Sequence, residues 1–465
     1  MTAELPSAWL SSRAVRLLAL GAVVLLGAYL RLGAAALTVV DSPIRADAAQ
    51  YVAYAYNMRL HDTYSREMAS LADSEVTPAP DALRSPGYPA FLYLFAWTAD
   101  LDRFAKDVVF AQALISVAAI LATFALAVPI VGYGWALGVA LLTALSPHLV
   151  TANTYLLSEA LFGLVLLLAL WWTWRSQVVD ARWRWLFAGS ALGAAALIRP
   201  SALYLVVFVA VSLALRSDRQ TWARATAFIG LGYAVVVGAW VLRNWIVLGI
   251  VGDDTLTIAT LHHGMYPGFL FEGHSESFGF PYRFDPESER ISSSLGSVVA
   301  AIADRFQADF WGHAAWYVQK PLWLFRWGII QGQGDIFVYP ALASPYYDVA
   351  FFAATRELMR SLHPVLVWLA LGGALLAWLP RTVSAISVEG QSALRLISAT
   401  YLYFIAVHVA GAPFPRYSIP IRPLTYILAV VPLACLPIWW RGLRVTSALG
   451  GSSAWRATGA RSPER

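Results

Sequence analysis

Eight stretches of this chain are apolar for about the 20 residues that a helix needs to cross a hydrocarbon core: 17–40, 108–131, 133–150, 155–174, 225–248, 363–380, 393–412 and 418–440. No other feature narrows the fold as much. A backbone in lipid must satisfy its own polar groups, so runs of this kind become helices packed into a bundle. A further apolar run, Trp185 to Leu215, is too long for one crossing and is broken at Arg199-Pro200, where proline removes a backbone donor. It reads as two short spans. The expected fold is an all-α polytopic membrane protein with about ten transmembrane helices, eleven or twelve being the alternatives. Composition agrees: 59% of the 465 residues are hydrophobic and only 13% are charged, against roughly one-quarter charged in a soluble domain.

Charge orients the bundle. Arg13 and Arg16 precede the first run, and Arg175, Arg182, Arg184, Arg216, Arg219 and Arg224 flank the broken one. Arg441, Arg444, Arg456, Arg461 and Arg465 close the chain. Loops rich in Lys and Arg stay cytoplasmic, and ten crossings place all of these residues on that side, with both termini cytoplasmic in a cell (inner or plasma) membrane. Two long segments, 41–107 and 249–362, then face outward, as do the short turns at 150–155, 198–201 and 411–418. The segment 310–330 mixes Trp311, Trp316, Trp323 and Trp327 with Lys320 and Arg326. That mixture suits an amphipathic helix lying at the interface, and counting it as a span would break the parity. Residues 17–40 are too long for a signal-peptide core and are expected to remain as an anchor. The chain to about residue 440 reads as one transmembrane catalytic domain, and 441–465, rich in Gly, Ser, Ala and Arg, as a disordered cytoplasmic tail. The net charge of +5 belongs to this loop bias and points to membrane lipids, not to nucleic acid.

The residues able to do chemistry collect at the outer level. Asp47, Tyr51 and Tyr54 lie about one helical turn apart just beyond the first span, so one helix face carries a carboxylate and phenols. Arg84-Ser85-Pro86-Gly87-Tyr88-Pro89 is a rigid turn before an apolar stretch, and an arginine held there can pair with a phosphate. Glu159 sits near the outer end of the fourth run, where an ionisable group is costly and marks function. Arg31, Arg199, Arg243 and Arg422 are embedded in spans or at their outer ends. Arginines can hold a phosphate while a nearby carboxylate accepts a proton from a hydroxyl, although structural ion pairs explain the same residues. His262, His263, His274 and His313 show no paired-ligand spacing. No cofactor is assigned, and a divalent cation stays open. Cys435, the only cysteine, lies in the last run and has no partner for an intrachain disulfide.

The order of these motifs resembles the family 39-like GT-C glycosyltransferases, which include the protein O-mannosyltransferases and the bacterial aminoarabinose transferases. The resemblance rests on Ala46-Asp47 with Tyr51, on Arg84 to Pro89, on Ser158-Glu159 and on Ile198-Arg199-Pro200. It continues through Arg243-Asn244-Trp245 with Gly249, His263-Gly264, and Pro415-Arg416-Tyr417-Ser418-Ile419-Pro420-Ile421. It implies an inverting transferase that takes a sugar from a polyprenyl-phosphate donor to a lipid, glycan or protein acceptor on the extracytoplasmic face. It further implies Asp47 as general base, Glu159 as a second catalytic acid residue, and Arg84, Arg199, Arg243 and Arg416 as donor-phosphate ligands. Tyr51, Tyr88 and His263 in the matched segments become substrate-binding residues. One departure is Ala48 after Asp47, where protein mannosyltransferases carry an Asp-Glu pair, which weighs against a protein acceptor. An O-antigen polymerase or ligase and a lipid-linked glycan transporter or flippase are the alternative readings.

Overall fold

The computed structural model describes residues 13–72, 76–214, 218–330, 332–380 and 386–435. The tail expected at 441–465 lies outside the described residues. From the N-terminus the chain runs through α1 (Arg13–Leu37), the short strand β1 (Val39–Val40), α2 (Ala46–Leu60), α3 (Gly87–Tyr93) and the 45-residue α4 (Leu101–Leu145). Next come α5 (Glu159–Val178), α6 (Arg182–Ile198), α7 (Leu205–Ala214) and α8 (Arg219–Leu248). The second long segment contains α9 (Thr255–Gly264), α10 (Leu295–Ala308), α11 (Phe310–Leu324) and β2 (Ala341–Ala343). The chain closes with α12 (Ala350–Leu376), α13 (Val388–Ala410) and α14 (Pro415–Cys435), whose first turns, Pro415–Ile421, are a tight 3-10 coil.

Seven helices are long and apolar enough to cross a membrane: α1, α4, α5, α8, α12, α13 and α14. α4 counts twice. At Gly132 the backbone turns to φ 76° and ψ 171°, a conformation open mainly to glycine. Arg31 of α1 measures the fold-back, since its guanidinium bonds both Ser116 Oγ (2.8 Å) and the carbonyl of Ala144 (2.9 Å). In a straight helix those residues would stand about 42 Å apart, so α4 is a helical hairpin. The break falls between the expected spans 108–131 and 133–150. With the shorter helices α6 and α7, separated by the extended residue Arg199, the described residues contain ten helical legs, as the apolar runs require. α6 and α8 approach backbone to backbone: a Cβ at Gly189 would stand 2.0 Å from the Ile229 carbonyl oxygen, and one at Gly232 would stand 2.1 Å from that of Leu186. Small residues allow such close approach where lipid supplies no hydrophobic drive between helices.

Contacts at the two ends of the bundle establish alternating connectivity. At one end Tyr133 donates to the Arg16 carbonyl, and Trp174 Nε1 donates to the Glu389 carbonyl (3.1 Å). Ser387 Oγ reaches the Pro129 carbonyl (3.5 Å) and Arg224 pairs with Asp180 at the same end. The starts of α1, α6, α8 and α13 therefore share one end, as the arginine pattern requires. The opposite end gathers the long segments 41–107 and 249–362, tied together by antiparallel pairing of β1 with β2. One helix begins well before its expected boundary. α12 begins at Ala350 instead of 363, because the Ala350–Leu362 stretch continues the helix and packs Phe352 and Met359 inward. α11 is 15 residues, about 22 Å long, and falls short of a roughly 30 Å core. Trp311 and Val318 on its outer face are 80% and 78% exposed, while Trp316 and Lys320 are buried. Lys320 Nζ donates to the carbonyls of Val409 (2.8 Å) and Gly411 (2.9 Å), docking α11 on the C-terminal end of α13.

Candidate active site

The first turn of α2 opens on backbone strain. Ala46 sits at φ 46°, a left-handed conformation that costs an L-residue roughly 1–2 kcal/mol. Asp47 follows in the first helical turn, where unsatisfied N–H groups favour a carboxylate. Its Oδ1 accepts from Arg84 Nη2 at 2.6 Å and its Oδ2 from Arg416 Nη1 at 3.0 Å. Arg416 extends further, its Nε donating to Glu159 Oε1 at 2.5 Å, and Arg199 Nη1 stands 3.4 Å from the same oxygen. The result is one continuous alternating chain, Arg84–Asp47–Arg416–Glu159–Arg199, assembled from five separate parts of the sequence. Three guanidiniums against two carboxylates leave it one formal positive charge in excess.

Each member is held by its own element. Arg84 projects from a turn that Tyr64 and Tyr54 brace through the Arg84 carbonyl (2.9 Å) and amide (3.3 Å), and its Nε donates to Gln50 Oε1 at 2.7 Å. Arg199 is the extended residue between α6 and α7 and lies over the Tyr417 ring. Glu159 starts α5 with its side chain 1% exposed, and Arg416 stands in the 3-10 coil opening α14. Asp47 remains the accessible carboxylate, its side chain 32% exposed. Burial pushes the Asp47 carboxyl up, but the Arg416 and Arg84 guanidiniums outweigh that and hold it at about 2.

Beside Asp47 and Arg416 opens a cleft of about 820 Å³ including its mouth, lined by both residues and by Phe280, Tyr282, Tyr339 and Phe414. Charged and aromatic side chains share its lining.

No protein-family model matches the sequence, and no curated protein matches it. Solved structures do match. The chain aligns with the Archaeoglobus fulgidus oligosaccharyltransferase tethered with an acceptor peptide at a TM-score of 0.50 and 12% identity, over 94% of this chain and 51% of that one. The two chains share a fold. The apo form of the same enzyme aligns at 0.49 and 15% identity over 98% and 53% of the two chains. ArnT from Cupriavidus metallidurans bound to undecaprenyl phosphate aligns at 0.41 and 14%, over 91% and 78%. The chain thus spans about half the length of the oligosaccharyltransferase chains it matches. At these identities the likeness concerns the fold alone.

Of the residues singled out in the sequence, Asp47, Glu159, Arg84, Arg199 and Arg416 form the ionic chain itself. Tyr51 backs it, with Arg84 5.3 Å over its ring and Tyr88 edge-on at 4.9 Å. Tyr88 is fully buried and donates to Gln112 Oε1 (2.8 Å), so it supports Tyr51 from within the core. Arg243 stands outside the chain. It donates to the carbonyls of Asp81 (2.8 Å) and Tyr64 (3.3 Å) and pins the loop that carries Arg84. His263 is buried behind the cleft wall, its ring 4.7 Å from Phe414 and 4.9 Å from Tyr282. Burial first, then the neighbouring His262 and Arg283, pull it down to about 4, so it is neutral at pH 7. Arg31 and Arg422 are buried apart from the acids, Arg31 on carbonyls of α4 and Arg422 on His148 Nδ1 (2.8 Å). Gln50, Tyr282, Tyr339 and Phe414 escaped the sequence reading. Gln50 could have been found from its spacing three residues beyond Asp47, whereas the rings come from distant loops that carry no local signal. Among the described residues no three His, Cys, Asp or Glu side chains gather as a metal-ligand set.

Proposed function

We propose that this protein is a membrane glycosyltransferase that moves a sugar, with inversion, from a polyprenyl-phosphate donor to an acceptor on the extracytoplasmic face of the cell membrane. The observation that carries this reading is the alternating arginine–carboxylate chain at the edge of an open cleft. Arginines there hold a phosphate bidentately and stabilise the charge it gains as the sugar leaves. A carboxylate on the acceptor side takes the hydroxyl proton while the new glycosidic bond forms and the bond from C1 to the phosphate oxygen breaks. Asp47 is the base, being the more exposed acid, and Arg84, Arg416 and Arg199 form the phosphate clamp. Arg243 supports the clamp through the Arg84 loop.

The ion pairs define an order of events. A carboxyl held at about 2 is a weak base. A donor phosphate competing for Arg84 and Arg416 loosens their grip on Asp47 and raises its basicity, so donor binding precedes proton abstraction. The outward face follows from the arginine-rich loops gathered at the opposite end of the bundle.

The test is transfer by purified protein in lipid nanodiscs, with polyprenyl-phosphate sugars and candidate acceptors. Asp47→Asn should lose at least about 100-fold in rate, with Glu159→Gln impaired less. Full transfer by Asp47→Asn would remove the base assignment. Movement of intact lipid-linked sugar without a new covalent product would favour a transporter.

A further inference from the structure

Charged and aromatic residues line the cleft, and the proposed reaction uses only the charged ones. Two of the cleft's four lining rings, Phe280 and Tyr282, come from the segment 265–287 that links α9 to α10. This segment has almost no regular structure beyond three short 3-10 turns, at Pro267–Phe269, Ser275–Ser277 and Pro281–Arg283. Gly268, Gly273 and Gly279 take positive φ, and so do the non-glycine residues Phe269 and Glu272. A strained, irregular loop holds one shape only where its surroundings over-determine it, and here it is anchored on both sides of Tyr282. Before it, His263 Nε2 donates to the Gly279 carbonyl at 2.8 Å. After it, buried Asp285 accepts from the Tyr266 hydroxyl (2.6 Å), from Arg305 Nη2 (3.0 Å) and from the Glu287 amide (2.8 Å).

Between these anchors Phe280 and Tyr282 stand half-buried and line the cleft together with Asp47 and Arg416. The Tyr282 hydroxyl has no hydrogen-bond partner among the described residues. Its ring rests edge-on against His263 at 4.9 Å, and His263 also touches Phe414 at 4.7 Å, two residues before Arg416. One histidine therefore packs against two of the rings that line the cleft.

We infer that the 279–285 segment is the sugar-selecting wall of this site, with Tyr282 the ring on which the transferred sugar stacks and His263 the positioning residue behind it. This inference rests on the glycosyltransferase reading above. A pyranose presents a flat face of C–H groups and a rim of hydroxyls. An electron-rich ring suits the face, and a free phenol beside carboxylates and guanidiniums suits the rim. Lipid tail and phosphate need neither, so the wall acts on the sugar and not on its carrier.

The experiment uses the full chain in nanodiscs and a donor series on one polyprenyl phosphate, carrying a hexose, a pentose or an aminopentose, with sugar-free polyprenyl phosphate as reference. Tyr282→Ala should raise KM for sugar-bearing donors about tenfold while leaving the affinity for sugar-free polyprenyl phosphate unchanged. Tyr282→Phe, which keeps the ring, should hold KM within about threefold and re-rank the sugars through the lost hydroxyl. His263→Ala should reproduce the donor-specific rise in KM with kcat little changed, and His263→Gln, which keeps a donor for Gly279, should restore it. Equal loss of sugar-bearing and sugar-free lipid by Tyr282→Ala would mark a merely structural ring and overturn the inference. An unchanged KM and sugar ranking in Tyr282→Ala, with wild type active, would overturn it while the proposed function stands. Wild-type protein that transfers no sugar from any of these donors overturns both.

Discussion

Asp47 meets the cleft as a carboxylate already held by two guanidiniums, and that pairing has a pH signature. Its pKa in the folded protein, about 2, lies below the value of about 3.9 for an unpaired aspartate. The stability it contributes is therefore complete above about pH 4 and is lost as pH falls through about 2. Arg84→Met removes one of the two cations, which should move this loss to higher pH, read as an upward shift in the acid limb of the thermal midpoint in nanodiscs. An acid limb identical to wild type would contradict the pairing. Arg416 carries a heavier structural share, because it bridges Asp47 and the buried Glu159. Arg416→Met leaves Glu159 with Arg199 alone at 3.4 Å, and the stranded charge should cost roughly 3 kcal/mol. Adding Glu159→Gln should recover part of the loss in melting temperature, and a double variant no more stable than Arg416→Met would argue against the bridge. Glu159 and Arg199 could be picked out in the sequence because an ion in an apolar run is expensive, Asp47 and Arg84 from the helix face and rigid turn that carry them, and Arg416 only through the family resemblance. Their partnership could not, since Asp47 and Arg416 are 369 residues apart.

Among the elements, α4 shows how a local rule becomes architecture. The spans 108–131 and 133–150 were readable as two apolar runs of crossing length, and the turn between them depends on Gly132 at positive φ. Gly132→Ala should destabilise the hairpin by about 1–2 kcal/mol. Gly134→Ala, two residues on, has open space around the added methyl and no positive φ, so it should be neutral or slightly stabilising. Thermal melts of the two variants side by side decide this, and equal effects would deny Gly132 its role in the turn. The helix α12 taught the opposite lesson. Its first turns are only moderately apolar and read as loop, yet Phe352 and Met359 pack inward and extend the helix to Ala350. Hydropathy locates what faces lipid; it does not locate where a helix continues on protein contacts. For the same reason the short aromatic segments 279–285 and 411–417 carried no sign that they share a cleft.

For the whole molecule, the two ends of the bundle are chemically distinct. One collects the arginine-bearing loops with the Arg224–Asp180 pair, and the other holds the ionic chain and the cleft. In a Cys435→Ala background, a membrane-impermeant thiol reagent added to intact cells should label Asp47→Cys and spare Asp180→Cys; the reverse pattern would invert the assigned orientation. The sequence by itself determined that the chain enters the bilayer, how many helical legs it has, and which loops lie together. Those properties follow from transfer energies and loop charges, which sum over short windows without reference to distant partners. Tertiary structure alone decided that Asp47, Arg416 and Glu159 share ion pairs, that Arg243 braces the Arg84 loop from outside that chain, and that rings from distant loops line one cleft with Asp47. Those are distances of a few ångströms between residues far apart in the chain, and a pairing that short exists only once the helices have packed.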